Sequence, residues 1–381
     1  MDATADPMIR LDAVSKQYGD GTIAVHELDL DVHDGELVVL VGPSGCGKST
    51  TLKMVNRLIQ PTSGRILLQG EDVTQVDAVR LRRRMGYVIQ QVGLFPHQSV
   101  ATNVATVPRL LGWDKRRVAA RVNELLELVG LEPSTYADRY PHQLSGGQRQ
   151  RVGVARALAA DPPVLLMDEP FGAVDPIVRD RLQDEFLRLQ QEVRKTILFV
   201  THDIEEAVRL GDRIAVFSPA NRIEQYDEPA KILGAPATDF VAEFVGSDRE
   251  LKRLSVTPID VDELEQPPTA RADDRLAEVA RVMSDAGHRL AVVLNENGAA
   301  VGWLSLDDAH GDGTVTSKMR ELDATVPAAA TLKSAFSTML QSDVGWVAVL
   351  DGSSYLGILG PRTLHRALRK ADVSAQGPRR G

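Results

Sequence analysis

The stretch Gly42-Pro43-Ser44-Gly45-Cys46-Gly47-Lys48-Ser49-Thr50 decides the fold of this chain. It fits the phosphate-binding loop pattern, in which a glycine and four free positions precede Gly-Lys-Ser/Thr. An apolar run at 37–41 leads into the stretch, and residues 51–55 continue helically after it. This strand–loop–helix context is the one that the pattern requires. Two interpretations stand at this point: a nucleotide site, or an ordinary glycine-rich turn between a strand and a helix.

The residue types in the loop suit a nucleotide with its metal ion. Glycines let backbone N–H groups surround an anion, because no Cβ blocks the approach. The following helix directs its N-terminal dipole at the same phosphates. Lys48 is expected to reach the β- and γ-phosphates, and Ser49 to ligate Mg²⁺. Cys46 lies within the loop, either as a thiol activated by the helix N-terminus or as a small residue that fills a free position.

Length, composition and charge limit the possible classes of protein. A chain of 381 residues predicts two or three domains, and 43% hydrophobic and 25% charged residues are typical of a soluble globular protein. The net charge of −9, without a basic domain, argues against nucleic acid as a partner. Cys46 is the single cysteine and cannot form an internal disulfide, which indicates a reducing compartment such as the cytoplasm. No apolar run approaches the length of a membrane span, so we expect other subunits to provide any span.

Strands alternate with helices through most of the first 250 residues. Apolar runs at 164–167, 197–200 and 214–217 are separated by helical segments, which predicts a mostly parallel sheet. Helical periodicity over about 91–160 predicts an inserted helical subdomain. Lys48, Asp168, Glu169 and His202 each follow the carboxyl end of a predicted strand, and ligands of parallel sheets gather at that edge.

A second motif, Leu144-Ser145-Gly146-Gly147-Gln148, matches the signature of the ATP-binding cassette (ABC) ATPases, which residues 8–245 resemble throughout. The other family motifs appear in order: an adenine-stacking aromatic at Tyr18, Walker A at Gly42–Thr50, the Q-loop glutamine at Gln90, Walker B at Leu165–Glu169, the D-loop at Gly172–Asp175 and the switch histidine at His202. Val174 stands where leucine is commoner in the D-loop. Judged without the family, Tyr18 is as consistent with packing under its hairpin as with stacking on a base.

The resemblance implies a role for each of these residues. Catalysis would fall to Lys48, Gln90, Glu169 and His202, with Glu169 polarising the attacking water. Mg²⁺ would be held by Ser49, Gln90 and Asp168. ATP would be bound by Tyr18, by the whole loop from Gly42 to Thr50 and by Gln90. Residues Ser145, Gly146, Gly147, Gln148 and Asp175 would cover the ATP of a second copy in a head-to-tail dimer.

Within the ABC family, two stretches resemble the ATPases of quaternary-amine (osmoprotectant) importers. These are the Q-loop segment at 87–97 and the segment that runs from 182–186 through 201–207. The resemblance implies integral-membrane permease subunits, an extracytoplasmic solute-binding protein, and work at the cytoplasmic face of the membrane. Phe95-Pro96-His97 is a candidate socket for the permease, or alternatively packs inside the helical subdomain. Importers of another small solute, exporters and non-transport ABC ATPases are the alternatives; two cassettes or an interrupting coiled coil, typical of the last class, are not seen.

The remainder of the chain predicts a second module. Residues 251–266 are interpreted as a linker with a strand or two, after a cassette at 1–250. Units at about 267–319 and 320–370 then repeat the order helix, strand, strand, and each has too little core to fold alone. The pair resembles a tandem CBS (cystathionine-β-synthase-type) module. The expected fold is therefore an α/β P-loop cassette, with a mixed sheet and a helical subdomain, followed by an α+β CBS pair.

The CBS resemblance implies a regulatory ligand site. In nucleotide-binding CBS units, a Ser/Thr and an Asp three residues later contact ribose, and Ser305 and Asp308 fit this in the first unit. Gly360 and Thr363 take these places in the second unit, which argues against ribose there. The module is interpreted as a sensor of a nucleotide, such as a cyclic dinucleotide, or of salt through anionic lipid; a dimer-stabilising appendage is the alternative. The lipid version depends on basic residues at the end, in a flexible tail at 371–381 and before it: Arg366, Arg369, Lys370, Arg379 and Arg380.

Overall fold

A computed structural model describes residues 6–90, 93–172 and 174–367 of the chain. The described residues form two compact units. The first contains the chain up to Ile232 together with Pro236–Gly246, and the second contains Leu233–Ala235 and the chain from Ser247 onward.

The first unit contains two sheets. Its strands are β1 (Ile9–Gln17), β2 (Ile23–Val32), β3 (Leu37–Val41), β4 (Ser63–Leu68), β5 (Glu71–Asp72), β6 (Met85–Val88), β7 (Val164–Asp168), β8 (Thr196–Thr201), β9 (Arg213–Phe217) and β10 (Ile223–Asp227). One sheet is antiparallel with the order β2-β1-β4-β5, and the other has the order β10-β9-β3-β8-β7-β6. In the second sheet only β10 runs antiparallel to its neighbour. The predicted mixed sheet is confirmed.

Helices flank these sheets and form a separate layer in mid-chain. They are α1 (Lys48–Val55), α2 (Ala78–Arg83), α3 (Val100–Val104), α4 (Thr106–Leu110), α5 (Lys115–Leu128), α6 (Pro133–Tyr136), α7 (Gly146–Leu158), α8 (Pro176–Val193), α9 (Ile204–Leu210), α10 (Pro229–Gly234) and α11 (Asp239–Val245). Five of them, α3 to α7, occupy the region from 100 to 158 without a strand between them, as the helical periodicity predicts. No helix in the described part of the chain has both the length and the apolar character needed to span a membrane.

The nucleotide-loop strand lies at the centre of the parallel sheet. All five residues of β3 are buried, and β3 pairs with β8 on one side and β9 on the other. A continuous apolar core joins the two sheets to α1, with Leu11 from β1, Leu40 from β3 and Met54 from α1 in one cluster. Burial of this apolar surface is the main stabilising contribution, and it fixes the loop between β3 and α1.

The second unit consists of two halves that share the order strand, helix, strand, strand, and β14 adds a fourth strand to the first sheet. The elements of the unit are α12 (Arg249–Leu254), β11 (Thr269–Ala270), α13 (Leu276–Asp285), β12 (Leu290–Leu294), β13 (Ala300–Ser305), β14 (Arg320–Glu321), β15 (Thr325–Pro327), α14 (Leu332–Gln341), β16 (Val347–Asp351) and β17 (Ser354–Leu359). Their sheets are β11-β12-β13-β14 and β15-β16-β17. A shared cluster containing Val292, Trp346 and Ile358 joins the halves, with Trp303 edge-on to Trp346 at 5.8 Å between ring centroids.

The segment at 251–266 differs from its prediction as a linker with strands. It begins in helix α12 and continues through a short 3₁₀ turn at 261–263, and its pairing with strands is limited to isolated bridges such as Glu265 with Ile358. Leu254, Ile259 and Leu264 are buried in the core of the second half. The segment takes this structure because it packs on the second half of the unit, whose elements lie far from it in sequence. Of the predicted lipid-binding residues, Arg366 is exposed, and Arg369, Lys370, Arg379 and Arg380 lie outside the described residues.

Candidate functional site

Two glycines of the loop between β3 and α1 are required by close backbone approaches. Gly42 has φ +152°, and a Cβ there would lie 2.4 Å from the carbonyl oxygen of Phe217. Gly47 has φ +96°, and its Cβ would lie 2.2 Å from the carbonyl oxygen of Ala24. No other residue type fits either position. The loop therefore keeps the tight path that directs backbone N–H groups toward an anion at the start of α1.

Lys48 is buried in this loop, with 5% of its surface exposed. Its Nζ donates hydrogen bonds to the carbonyl oxygens of Gly42 and Pro43, both at 2.7 Å, and lies 3.4 Å from Sγ of Cys46. The ammonium group is thus held at the loop by acceptors that are uncharged. The phosphate oxygens of a bound nucleotide would compete with these carbonyl oxygens for Lys48, because charged acceptors form stronger hydrogen bonds. Cys46 is itself 2% exposed, which favours its interpretation as a small residue that fills a free position.

Ser49 and Asp168 are brought together from the loop and from the end of β7. Oγ of Ser49 donates to Oδ1 of Asp168 at 2.7 Å. Burial raises the pKa of the Asp168 carboxyl, and the Ser49 hydrogen bond and the charges of Lys53 and Lys48 act in the opposite direction. A hydroxyl beside a carboxylate is the hard oxygen donor set that Mg²⁺ prefers, so these two residues fit the ion.

Three of the predicted site residues lie together: Glu169 contacts both Gln90 and His202. Its Oε2 accepts a hydrogen bond from Nε2 of Gln90 at 3.0 Å and lies 3.2 Å from Nδ1 of His202. The backbone of Glu169 has φ +45°, and its N–H donates to the carbonyl oxygen of Val200 on β8. Gln90 follows β6, Glu169 follows β7 and His202 follows β8. The side chains of Gln90, Glu169 and His202 therefore lie together at the carboxyl edge of the parallel sheet, as strand order predicts.

The signature residues make their hydrogen bonds within the helical layer. Ser145 caps α7: its Oγ accepts from the backbone N–H of Gln148 at 3.2 Å, while Oε1 of Gln148 accepts from the N–H of Ser145 at 2.9 Å. Gly146 has no atom within 4 Å of a would-be Cβ, and Gly147 has Val178 of α8 at 3.3 Å. The N-terminus of α7 is thus open at Gly146, as an anion site there would require.

The remaining predicted nucleotide contacts lie on exposed loops. Tyr18 is 42% exposed, with Nζ of Lys16 5.4 Å from its ring centroid, which favours stacking on a base over packing under the hairpin. Asp175 precedes α8 and accepts, through its carbonyl oxygen, the backbone N–H of Arg179.

Asn103 has a structural role that sequence reasoning missed. It is fully buried, and its Oδ1 accepts from the N–H of Phe95 at 2.7 Å while its Nδ2 contacts the carbonyl oxygens of Phe95, Gln98 and Ser99. These bonds hold the loop that presents Phe95, which is 40% exposed. An asparagine on a short helix carries no motif, so only its burial reveals the role. The fixed, exposed aromatic favours the interpretation of this loop as a socket.

The two halves of the second unit differ at the predicted ribose positions. In the first half, Ser305 and Asp308 are partly exposed, and Oδ2 of Asp308 accepts from Nη2 of Arg320 at 2.6 Å. In the second half, Thr363 is 2% exposed and donates to Oε1 of Glu265 at 2.9 Å. At these positions the first half has a partly exposed carboxylate and the second half has a buried threonine, as the two sequences predict.

Comparison with known proteins agrees with this architecture. The family model for ABC transporters matches residues 25–172, and that for CBS domains matches residues 260–310. The chain is 47% identical to the osmoprotectant import ATP-binding protein OsmV of Salmonella typhimurium, over 90% of this chain and 91% of that protein. It is 44% identical to the glycine betaine/carnitine/choline transport ATP-binding protein OpuCA of Bacillus subtilis, over 92% and 93%.

A solved structure is also similar to this chain. The dimeric structure of MJ0796, a bacterial ABC transporter cassette, aligns with a TM-score of 0.52 and 35% identity over 58% of this chain and 99% of that one. The two relatives above extend across both units, including the part that resembles CBS domains. The chain therefore belongs to the ABC transporter family, among the ATP-binding subunits of osmoprotectant uptake systems.

Proposed function

We propose that this chain is the ATP-hydrolysing subunit of an importer for quaternary-amine osmoprotectants such as glycine betaine, and that its site residues act as the sequence predicts. The observation that carries the proposal is the position of Glu169 between Gln90 and His202, directly after Asp168 with its bond to Ser49. A carboxylate held by two neighbours at the edge of a phosphate-binding loop suits activation of a water molecule.

The proposed reaction is attack of water on the γ-phosphorus of ATP. Glu169 accepts a proton from the water as its oxygen forms a bond to phosphorus, and the bond from phosphorus to the β–γ bridging oxygen breaks, giving ADP and phosphate. His202 and Gln90 orient the water through Glu169. Lys48 offsets charge on the β- and γ-phosphates. Bound Mg²⁺ would supply further charge stabilisation to the phosphates, held by Ser49 and Asp168 with Gln90.

A second copy of the chain completes the proposed site. The open N-terminus of α7 at Gly146 is an anion site whose capping bonds are made inside the helical layer. We propose that Ser145 to Gln148, with Asp175, cover ATP bound at the other copy's loop. The dimeric structure of the aligned bacterial cassette supports a dimer.

The proposed membrane partners are permease subunits, with a solute-binding protein acting through them at the other side. The exposed Phe95, fixed by Asn103, is the proposed contact for the permease, which would hold the chain at the cytoplasmic face of the membrane. The proposed solute class is supported by two relatives that align with 90% and 92% of this chain and are described as osmoprotectant import and glycine betaine/carnitine/choline transport ATP-binding proteins.

Uptake of labelled glycine betaine at high osmolarity tests the function. Cells whose only copy is the wild type are expected to accumulate the solute, and cells with Glu169→Gln are expected not to. Uptake of an unrelated labelled amino acid through another system is the control for general energetic damage. Unchanged betaine uptake in the variant, with purified wild type still hydrolysing ATP, would keep the ATPase and remove the osmoprotectant assignment.

For the second unit, we propose a regulatory function that is separate from the cassette at residues 1–250. The first half would bind a nucleotide through Ser305 and Asp308, whose carboxylate is paired with the Arg320 guanidinium. Thr363, bonded to Glu265, argues against a matching site in the second half.

A further inference from the structure

Two helices, α8 and α9, lead away from the candidate site at neighbouring points. Helix α8 begins directly after Asp175, the last residue of the D-loop, and α9 begins directly after Asp203, which follows His202. Asp175 is proposed to cover the ATP of the second copy, whereas His202 contacts Glu169 of its own copy. A bridge between the starts of these two helices would therefore connect the two proposed ATP sites of a dimer.

Side chains join α8 and α9 along their length. Arg209 of α9 donates to Oδ1 of Asp180 at 2.9 Å and to Oδ1 of Asp184 at 2.7 Å, both on α8. Between the helices, Nε2 of Gln183 donates to Oε1 of Glu206 at 2.9 Å, and both residues are buried. Because a buried hydrogen-bonded network makes the elements that it joins rigid, a displacement at the start of α8 should be passed to α9.

Arg179, in the first turn of α8, makes the bridge at the end nearest the site. Its Nη2 donates to the carbonyl oxygen of Val174, in the D-loop, at 3.2 Å. Its Nη1 lies 3.9 Å from Oδ2 of Asp203, the N-cap residue of α9. The arginine side chain is 28% exposed, so solvent screens this charge pair only in part. One planar guanidinium therefore contacts the D-loop with one nitrogen and the segment behind His202 with another.

Asp203 uses its two carboxylate oxygens for different contacts. Oδ1 accepts from two backbone N–H groups in the first turn of α9 and so caps the helix. Oδ2 is the atom that lies nearest to Arg179. The backbone N–H of Asp203 donates to Oγ1 of Thr201, the last residue of β8. His202 is thus held between a strand end and a helix cap, and Arg179 connects this segment with the D-loop.

We propose that Arg179 is a positioning residue that places His202 in response to the D-loop. ATP bound at the second copy would fix the D-loop through Asp175. Arg179 then holds Asp203 in place, and His202 with it, where the imidazole can orient the carboxylate of Glu169. Hydrolysis at one site thereby depends on ATP bound at the other. This role rests on the proposed function, because it concerns the same reaction in the same dimer.

Steady-state ATPase kinetics and ATP binding of the purified full-length protein test the link. Arg179→Met keeps the length of the side chain and removes its charge and its donors, so kcat should fall by about tenfold. The Kd for a fluorescent ATP analogue should stay within about twofold of wild type. The Hill coefficient for ATP should fall from the wild-type value toward about 1, which a purely structural role would not cause. Arg188→Met changes an exposed arginine later in α8 and should alter none of these values.

Asp203→Asn tests the same link from the other side. Asparagine caps a helix as well as aspartate does, so α9 keeps its start while the charge near Arg179 is lost, and kcat should fall by about fivefold. The double variant should be no slower than Arg179→Met alone, because both changes break one contact.

The outcomes separate this role from the proposed function. A wild-type kcat and Hill coefficient in Arg179→Met, or additive losses in the double variant, would overturn the role of Arg179; inactivity of Glu169→Gln in the same assay would leave the proposed function standing. If Arg179→Met fails to fold, a wild-type Hill coefficient in Asp203→Asn overturns the role. No hydrolysis by the wild type would overturn both.

Discussion

Oε2 of Glu169 and Nδ1 of His202 lie 3.2 Å apart, at the ends of two adjacent strands of the parallel sheet. The register explains the proximity, because Asp168 on β7 is paired with Val200 on β8, one residue before Glu169 and two before His202. Gln90 donates to the same carboxylate oxygen. The orientation of Glu169 is thus determined by backbone pairing and by two side chains, and a change of its charge should leave the surrounding strands unaltered.

Glu169→Gln is therefore expected to abolish turnover and to leave ATP binding intact. The amide has nearly the same shape but cannot accept a proton from water, so the rate of phosphate release should fall by about 100- to 10,000-fold. Titration with a fluorescent ATP analogue should give a Kd close to that of wild type. Steady-state hydrolysis at the wild-type rate would remove Glu169 from the proposed role.

Ser49→Ala is expected to raise the Mg²⁺ concentration that the ATPase requires. The substitution removes the hydroxyl that donates to Asp168 and that we propose as a metal ligand. Half-saturation with Mg²⁺ should increase by at least about tenfold. Ser49→Thr keeps the hydroxyl and is the matched control. A Mg²⁺ dependence of Ser49→Ala equal to that of wild type would show that this hydroxyl is no ligand.

Two adjacent aspartates in the second unit offer a matched test of nucleotide binding. Asp307 pairs with Arg289 at 2.9 Å and Asp308 with Arg320 at 2.6 Å, but only Asp308 has the position of a ribose contact. Calorimetry of the full-length protein with cyclic di-AMP is expected to show binding to wild type, and Asp308→Asn should weaken it by about tenfold or more. Asp307→Asn should leave it unchanged. Equal effects of the two substitutions, or no heat from wild type, would reject the site.

The cassette was predictable because its motifs occur where local sequence determines structure. Gly42 and Gly47 need backbone conformations that few residues adopt, and Asp168 and Glu169 end an apolar run that can only be a buried strand. The edge at which these residues meet follows from strand order alone. In such a region, local pattern and tertiary contact lead to the same conclusion.

The second unit was harder to predict because its contacts join residues far apart in sequence. Leu254 and Ile259 are apolar residues in a polar stretch, and only the core built from β15, α14 and β16 explains their burial. The Asp308–Arg320 pair depends on the register of β13 with β14, which places Arg320 beside Trp303. The hydrophobic pattern of a short segment predicts neither the burial of Leu254 and Ile259 nor the Asp308–Arg320 pair.

Glu206 provides a prediction about stability that is separate from catalysis. It is 6% exposed on α9, and its Oε1 accepts from Nε2 of Gln183 at 2.9 Å. Burial raises the pKa of the Glu206 carboxyl, against hydrogen bonds from Thr201 and Gln183 that lower it. The folded state thus favours the protonated form. The stabilisation from this preference is fully present below the ordinary pKa of 4.5 and is lost as the pH rises through the higher folded-state pKa.

Glu206→Gln should therefore stabilise the first unit at alkaline pH, because the amide has no charge to bury. We expect the midpoint of its thermal unfolding to rise by about 2–4 °C at pH 8, and the gain to shrink toward pH 5. Scanning fluorimetry at constant ionic strength measures both values. Glu205→Gln changes an exposed neighbour on the same helix and should show no pH-dependent gain. A Glu206→Gln variant less stable than wild type at pH 8 would mean that the hydrogen bonds to the carboxylate outweigh its desolvation.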